Sequence, residues 1–323
     1  MLEKTVKVAL VQQPPVFLNL QKTLAKAEKI TKKCAKAGAK IVVFPETWLA
    51  GYPIWLDEAP RVALWDYAPA KRLYQYLTEN SLRIPGAEFA LLQKIAKRNS
   101  VYLVIGIHER GGGTLYNTTV YFEPSGAYKI HRKLTPTYTE KLIWGAGDGS
   151  TLNVTETAYG VLGGLICWEH WLPLARAAMH AKGETIHTAQ FPTVHERHQI
   201  ACRHYAFEGQ CFVLASGCIL KKDEAIEGFL SLETGDKEVL ALLESMEKDA
   251  LQHGGSAIIA PDASYIVEPV FDEPDIVYGE LELDLIKQGH LFLDTDGHYS
   301  RPDVFELRVN DKPNKNVVFA SED

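Results

Sequence analysis

Apolar positions along this chain recur with two periods, and the alternation between them sets out a series of elements. Residues 6–11 read as a buried strand, and 19–37 follow as an amphipathic helix whose Leu20, Leu24, Ala27, Ile30, Cys34 and Ala37 recur at helical spacing before Gly38. Residues 41–44 form a second strand, which completes a βαβ opening. Leu92, Ile95 and Ala96 repeat the helical spacing within 88–99, and 101–107 is a β-branched, apolar strand. Residues 114–122 and 127–133 flank Glu123-Pro124-Ser125-Gly126, a sequence with hairpin turn chemistry. Strands at 160–166, 185–189 and 211–215 then alternate with helices at 173–182 and 197–208. A helix over 238–251 and strands at 256–260, 265–269 and 277–283 complete the set, while 220–236, rich in charge and turn residues, reads as an inserted surface loop. Mixed βα and hairpin units without a linker tract or internal repeat point to one large layered α/β domain.

Composition narrows the classes. With 323 residues, 46% hydrophobic and 23% charged, the chain buries a large core. A net charge of -7 argues against nucleic acid as a partner. The lysines of 22–40 lie opposite the apolar helical stripe and so form a solvated face. No apolar run reaches the roughly 18 residues of a membrane span, and the opening MLEKTVKVAL is short and charged for a signal peptide. Cys34, Cys167, Cys202, Cys211 and Cys218 are odd in number and show no CxxC spacing, so reduced thiols in the cytoplasm are expected.

Three reactive residues share one local position: Glu46 follows the strand IVVF, Lys133 ends AYKIHRK, and Cys167 follows GLI. Groups at the carboxyl ends of strands converge on a common crevice in sheets covered by helices. Taken singly, each has a bland reading: an apolar-flanked Cys is usually a small buried hydrophobe, and a Glu or Lys at a strand end is usually a solvated cap. Context shifts the balance. In FPETWLAGYP, Trp48, Tyr52 and two prolines desolvate the Glu46 carboxyl, which moves it toward a working base. HRKLTPTYTEK places Lys133 and Glu140 around a proline-bent loop, and LICWEHWLPL holds Cys167 between a strand and a helix.

These segments resemble, in the same order, the three signature regions of the nitrilase (carbon-nitrogen hydrolase) superfamily. The resemblance runs from about residue 6 to 305 and includes the late DTDGHYSRPDVF segment. It implies a nitrilase-like α-β-β-α sandwich, with a hydrolase domain over 1–310 and a C-terminal tail over 311–323. By resemblance the family's catalytic Glu is Glu46, its Lys is Lys133, its nucleophile is Cys167, and its second glutamate is Glu140. CWEHWLPL is similar to the nitrilase branch rather than the amidases, so the expected substrate is a small-molecule nitrile. An amidase or cyanide hydratase is the alternative within the family, and a non-catalytic scaffold the alternative outside it. The resemblance also implies homodimers or higher homo-oligomers. The chain stops at Asp323 without the extended tail of the longer nitrilases, so long helical filaments are not expected.

The chemistry fits the residues independently. A thiol needs a base or a nearby cation to act as thiolate; Glu46 is the base and Lys133 the cation. Lys133 and the backbone N–H of Trp168 are placed to stabilise charge developing on the substrate. Tyr52, Trp55, Trp168, Phe191 and Pro192 flank the signature regions and would enclose the nitrile side chain, unless they only fill the core. No cofactor and no metal are required. His195, His198 and His204 lack the HExxH spacing of a zinc site, and Gly111 to Gly113 lack the following Lys of a phosphate loop.

Overall fold

The computed structural model describes residues 4–315 and 317. In chain order the strands are β1 (Thr5–Gln12), β2 (Ile41–Val43), β3 (Tyr102–Gly111), β4 (Thr114–Phe122), β5 (Tyr128–Arg132), β6 (Thr155–Thr157) and β7 (Gly160–Ile166). They continue with β8 (Ile186–Phe191), β9 (Phe212–Gly217), β10 (Ile219–Lys221), β11 (Ala250–Ile259), β12 (Tyr265–Phe271) and β13 (Asp275–Glu282). The helices are α1 (Leu20–Lys36), α2 (Trp55–Glu58), α3 (Ala68–Glu79), α4 (Ala87–Asn99), α5 (Pro173–His180), α6 (Glu196–Gly209), α7 (Lys222–Leu230), α8 (Lys237–Glu244) and α9 (Asp284–Gly289).

Two sheets face each other. One runs β13-β1-β2-β3-β4-β5 and the other β10-β11-β9-β8-β7-β6, with β12 paired to β11. Side-chain alternation explains the layers. Val8 and Leu10 of β1, with Ile41, Val43 and Val104, pack across the sandwich on Leu162, Ile186, Phe212, Leu214 and Ile258. Ala9 and Val11 point the other way, with Val42, Leu103 and Ile105, into Leu24, Ala27 and Ile30 of α1 and Leu92 and Ile95 of α4. On the opposite outer face Ala189, Val213 and Ala215 pack on Ala178, Met179, Cys202 and Tyr205 of α5 and α6. Strands buried on both faces read as continuous apolar runs, as in a parallel sheet covered by helices. The α-β-β-α sandwich expected from the sequence is therefore present.

α1 shows how local sequence sets an element. The Asn19 side chain accepts from the Lys22 amide at 3.1 Å, Leu20, Leu24, Ala27, Ile30 and Cys34 face inward, and Gly38 follows the helix with a φ of 92°.

Two expectations are corrected. Residues 220–236 are not a loop: β10 leads into α7, which presents only Ala225, Gly228 and Phe229 inward. Three small or apolar positions at i, i+3 and i+4 amid charge are enough for a helix that leans on α8. The helix expected over 238–251 ends at Glu244, and Leu251 belongs to β11. Leu251 would fall on the far side of a helix from Val239, Leu242 and Met246, and it sits between Ala250 and Gln252, which pair with Lys221 and Leu220 of β10. α2 and α3, which the periodicity did not single out, pack Trp55, Leu73 and Leu77 against α7 and α8 as a cap on one end of the sandwich. Much of the tail expected over 311–323, residues 316 and 318–323, lies outside the described residues.

Candidate active site

Strand direction brings the chemistry together. β2 is parallel to β3, and β5 runs parallel to β3 because two antiparallel pairings separate them. In the facing sheet β7, β8 and β9 are parallel. Glu46, Lys133 and Cys167 follow β2, β5 and β7, so all three emerge at the carboxyl ends of like-directed strands.

Lys133 is the hub. Its Nζ lies 2.9 Å from Glu46 Oε1 and 2.9 and 2.7 Å from the two oxygens of Glu140. Asn117 Nδ2 donates to Glu46 Oε1 at 2.7 Å, Tyr52 OH to Glu140 Oε1 at 2.9 Å, and the Thr137 amide to Glu140 Oε2 at 2.6 Å. Glu46, Lys133, Glu140 and Cys167 are all buried. Glu46 Oε2 has no hydrogen-bond partner among the described residues, which leaves one basic oxygen uncommitted.

Burial pushes the Glu46 carboxyl up to about 7; the charge of Lys133 opposes the rise and that of Glu140 adds to it. Burial alone would lower the Lys133 ammonium, but Glu46, Cys167 and Glu140 outweigh it and hold Lys133 charged. The Cys167 thiol is raised by burial and by Glu46, against Lys133 and a hydrogen bond from the Trp168 backbone amide. The resting thiol is therefore protonated, and a base is needed to release its nucleophilicity.

The backbone is strained at this site. Cys167 has φ 52°, Thr47 beside Glu46 has φ 44°, and Tyr138 in the Glu140 turn has φ 43°. Glycine provides the space: Gly106 of β3 passes under the Glu46 turn, where an added Cβ would overlap the Pro45 carbonyl oxygen and the Thr47 amide nitrogen. Gly106→Ala is accordingly expected to displace Glu46 and lower kcat/KM by about 100-fold. Circular dichroism beside the rate assay checks this, and wild-type activity in the folded variant would refute it.

Glu169 and His131 join the segments that carry Cys167 and Lys133, a contact that sequence reasoning missed. Glu169 Oε2 accepts from the Ile166 amide at 2.7 Å and lies 2.9 Å from His131 Nε2, while Oε1 accepts from the Leu134 amide at 2.7 Å. One buried carboxylate thus ties the Cys167 turn to the segment carrying Lys133. A signal was available: His131 and Lys133 are two apart, hence on one face of a strand, and Glu169 is two residues past Cys167.

A cavity of about 360 Å³ opens on Cys167 and Glu140. Of the expected enclosing residues, Tyr52, Trp168 and Pro192 line it. Trp55 and Phe191 do not: Trp55 is buried edge-on to Phe17, and Phe191 is stacked between His170 and His198. His195 and His198 start α6 rather than grouping with other ligands, and no cluster of three or more His, Cys, Asp or Glu suited to a metal occurs among the described residues. No helix among them is long and apolar enough to cross a membrane.

Comparison with known proteins agrees with this geometry. The carbon-nitrogen hydrolase family model matches residues 7–290. Nitrilase 1 of Arabidopsis thaliana is 37% identical over 98% of this chain and 90% of its own length. A bifunctional nitrilase/nitrile hydratase of Lupinus angustifolius is 37% identical over 98% and 89% respectively. A solved carbon-nitrogen hydrolase from Helicobacter pylori superposes with a TM-score of 0.68 at 18% identity, covering 93% of this chain and 96% of that one.

Proposed function

Because this chain belongs to the carbon-nitrogen hydrolase family, we propose that Cys167 is its nucleophile, Glu46 its general base and Lys133 its electrostatic catalyst. The activity is that of a nitrilase: hydrolysis of an organic nitrile to the carboxylic acid and ammonia. The observation that carries the residue roles is a buried ammonium bridging two carboxylates beside the thiol, with one Glu46 oxygen left free.

Glu46 takes the Cys167 proton as sulfur attacks the nitrile carbon, and the nitrogen receives a proton to give a thioimidate. Lys133 and the Trp168 amide stabilise the charge that develops. Water, deprotonated by Glu46, adds to the same carbon. The C–N bond then breaks with ammonia leaving, and a second water releases the acid from the thioester and returns the proton to sulfur. Glu140 positions Lys133 through its paired contacts, and Tyr52 and Thr137 hold Glu140 in turn.

The working base must be ionised, so kcat/KM is expected to rise with pH through about 7 and to fall about tenfold per unit below it. The measurement is a pH profile on an accepted nitrile with acid, amide and ammonia quantified together. Acid with equimolar ammonia is expected. A profile flat from about pH 5.5 to 8 would remove Glu46 from the role of base, and amide as the main product on every nitrile would replace hydrolase by hydratase.

Two wider features belong to the same reading. Residues 1–310 act as the hydrolase domain with 311–323 as a tail, and copies pair through their outer helical faces, where Leu174, Ile200 and Phe207 of α5 and α6 are exposed. All five cysteines are free thiols, which supports a cytoplasmic setting.

A further inference from the structure

The cavity that opens on Cys167 is not uniformly apolar. On the wall supplied by β11 and α6 it meets Gln252 and His198, both buried, at 2% and 5% exposure. Neither atom of the Gln252 amide has a hydrogen-bond partner among the described residues, and His198 Nε2 also has none. Buried side-chain amides are almost always satisfied, so three orphaned atoms on the wall of one cavity require an explanation.

Their polarity can be worked out. His198 Nδ1 lies 3.0 Å from the Thr193 carbonyl oxygen and 3.3 Å from the His195 amide. A neutral imidazole donates from one ring nitrogen and accepts at the other, so Nε2 supplies a donor in one tautomer and an acceptor in the other. Burial holds this imidazole down to about 4, so it is neutral in the working range. Gln252 adds one donor and one acceptor. The wall thus offers donor and acceptor together and carries no charge.

The mouth adds a constraint on charge. Lys248 is paired with Glu58 at 2.6 Å and His253 with Asp272 at 2.6 Å, whereas Asp57 accepts from the Thr139 hydroxyl at 2.9 Å and feels the charge of Lys248 without a direct ion pair among the described residues. An anionic substituent would meet Asp57, while Lys248 is already engaged by Glu58. A hydrocarbon substituent would cover the Gln252 amide and His198 Nε2 without replacing their bonds, which costs binding.

We infer that this cavity selects nitriles whose side chain ends in an uncharged group that both donates and accepts, a hydroxyl being the simplest, with Gln252 and His198 as its specificity-determining partners. The hydroxyl donates to Gln252 Oε1 and accepts from Gln252 Nε2, with His198 Nε2 beside them as a second polar partner. This inference rests on the nitrilase reading above and narrows it to a substrate class.

The test uses matched pairs: each ω-hydroxynitrile of three to six carbons against the n-alkyl nitrile in which a methyl replaces the hydroxyl. The full-length enzyme is expected to favour the hydroxynitrile by about tenfold or more in kcat/KM at one or more chain lengths. Gln252→Leu, and the closer isostere Gln252→Met, should bring that ratio to about one or invert it. Because the ratio is taken within one preparation, loss of folded protein cancels from it. Alkyl nitriles hydrolysed as well or better at every length would overturn the inference while leaving the nitrilase reading intact. So would a hydroxyl preference that survives in both Gln252 variants. Failure of the unmodified enzyme to hydrolyse any nitrile would overturn both.

Discussion

Cys167→Ala is expected to abolish ammonia release from every accepted nitrile, a loss of about 1,000-fold or more, while the protein stays folded. Cys167 is the only thiol among the described residues that line the cavity. The Ala variant keeps the same backbone and loses one buried sulfur, so its unfolding midpoint should lie close to that of the parent. The control is built into the sequence: Cys34, Cys202, Cys211 and Cys218 are also buried, but Cys34 lies in α1, Cys202 in α6, Cys211 just before β9 and Cys218 just after it, and none lines the cavity. Their Ala variants should retain turnover once corrected for folded protein. Ammonia release at the parental rate by folded Cys167→Ala would end the covalent mechanism.

Lys133→Met should have the largest effect on stability and also stop the reaction. It leaves Glu46 and Glu140, both inside the protein, without the ammonium that bridges them. Removing one partner from a buried ion pair costs about 3–5 kcal/mol because the stranded charge remains desolvated. The sign with pH is definite. Burial already holds Glu46 to about 7 against an ordinary value of 4.5, and without the opposing charge of Lys133 this carboxyl binds its proton more tightly still. Groups whose folded-state pKa is raised favour folding below their unfolded value, and that contribution is lost as pH rises. The deficit of the variant should therefore be small below about pH 4.5 and grow through neutrality. Denaturant titrations of both proteins at pH 4.5, 6 and 8 measure it. An equal deficit at all three values would mean that Lys133 contributes packing rather than charge.

Sequence patterning made the layered fold legible wherever one element buries one clear stripe or run. β1, α1, α4, β4 and β5 fall within a residue of their expected bounds because Ala9 and Val11, or Leu24 and Ile30, have only one way to be buried, while β3 runs four residues past its expected end to Gly111. Patterning failed where apolar spacing was ambiguous or sparse. The helix expected over 238–251 ends early because Ala250 and Gln252 pair with β10, a contact that leaves no local signal in the sequence. α7 shows three inward positions among charges, too few to stand out until α8 is packed beside them.

The site divides in the same way. The sequence by itself singled out the side chains proposed to carry the chemistry: Glu46, Lys133, Glu140 and Cys167 each stand in a local context, at a strand end or a proline-bent turn, that their neighbours impose. Only the tertiary structure decided how those groups act on one another. The positions of Glu46 and Glu140 on either side of one ammonium, the protonated state of the Cys167 thiol, and the Glu169 tie between the two sheets depend on distances across the sandwich, which no local pattern encodes. The same holds for the cavity wall. Trp55 and Phe191 look as suited to enclose a substrate as Tyr52 and Trp168 do, yet Phe17, His170 and His198 claim them for the core, while Gln252, an unremarked polar residue in a strand, faces the reaction space. The physical reason is range: hydrophobic periodicity and turn chemistry act over a few residues, whereas burial, ionisation and cavity lining are set by whichever distant elements pack against them.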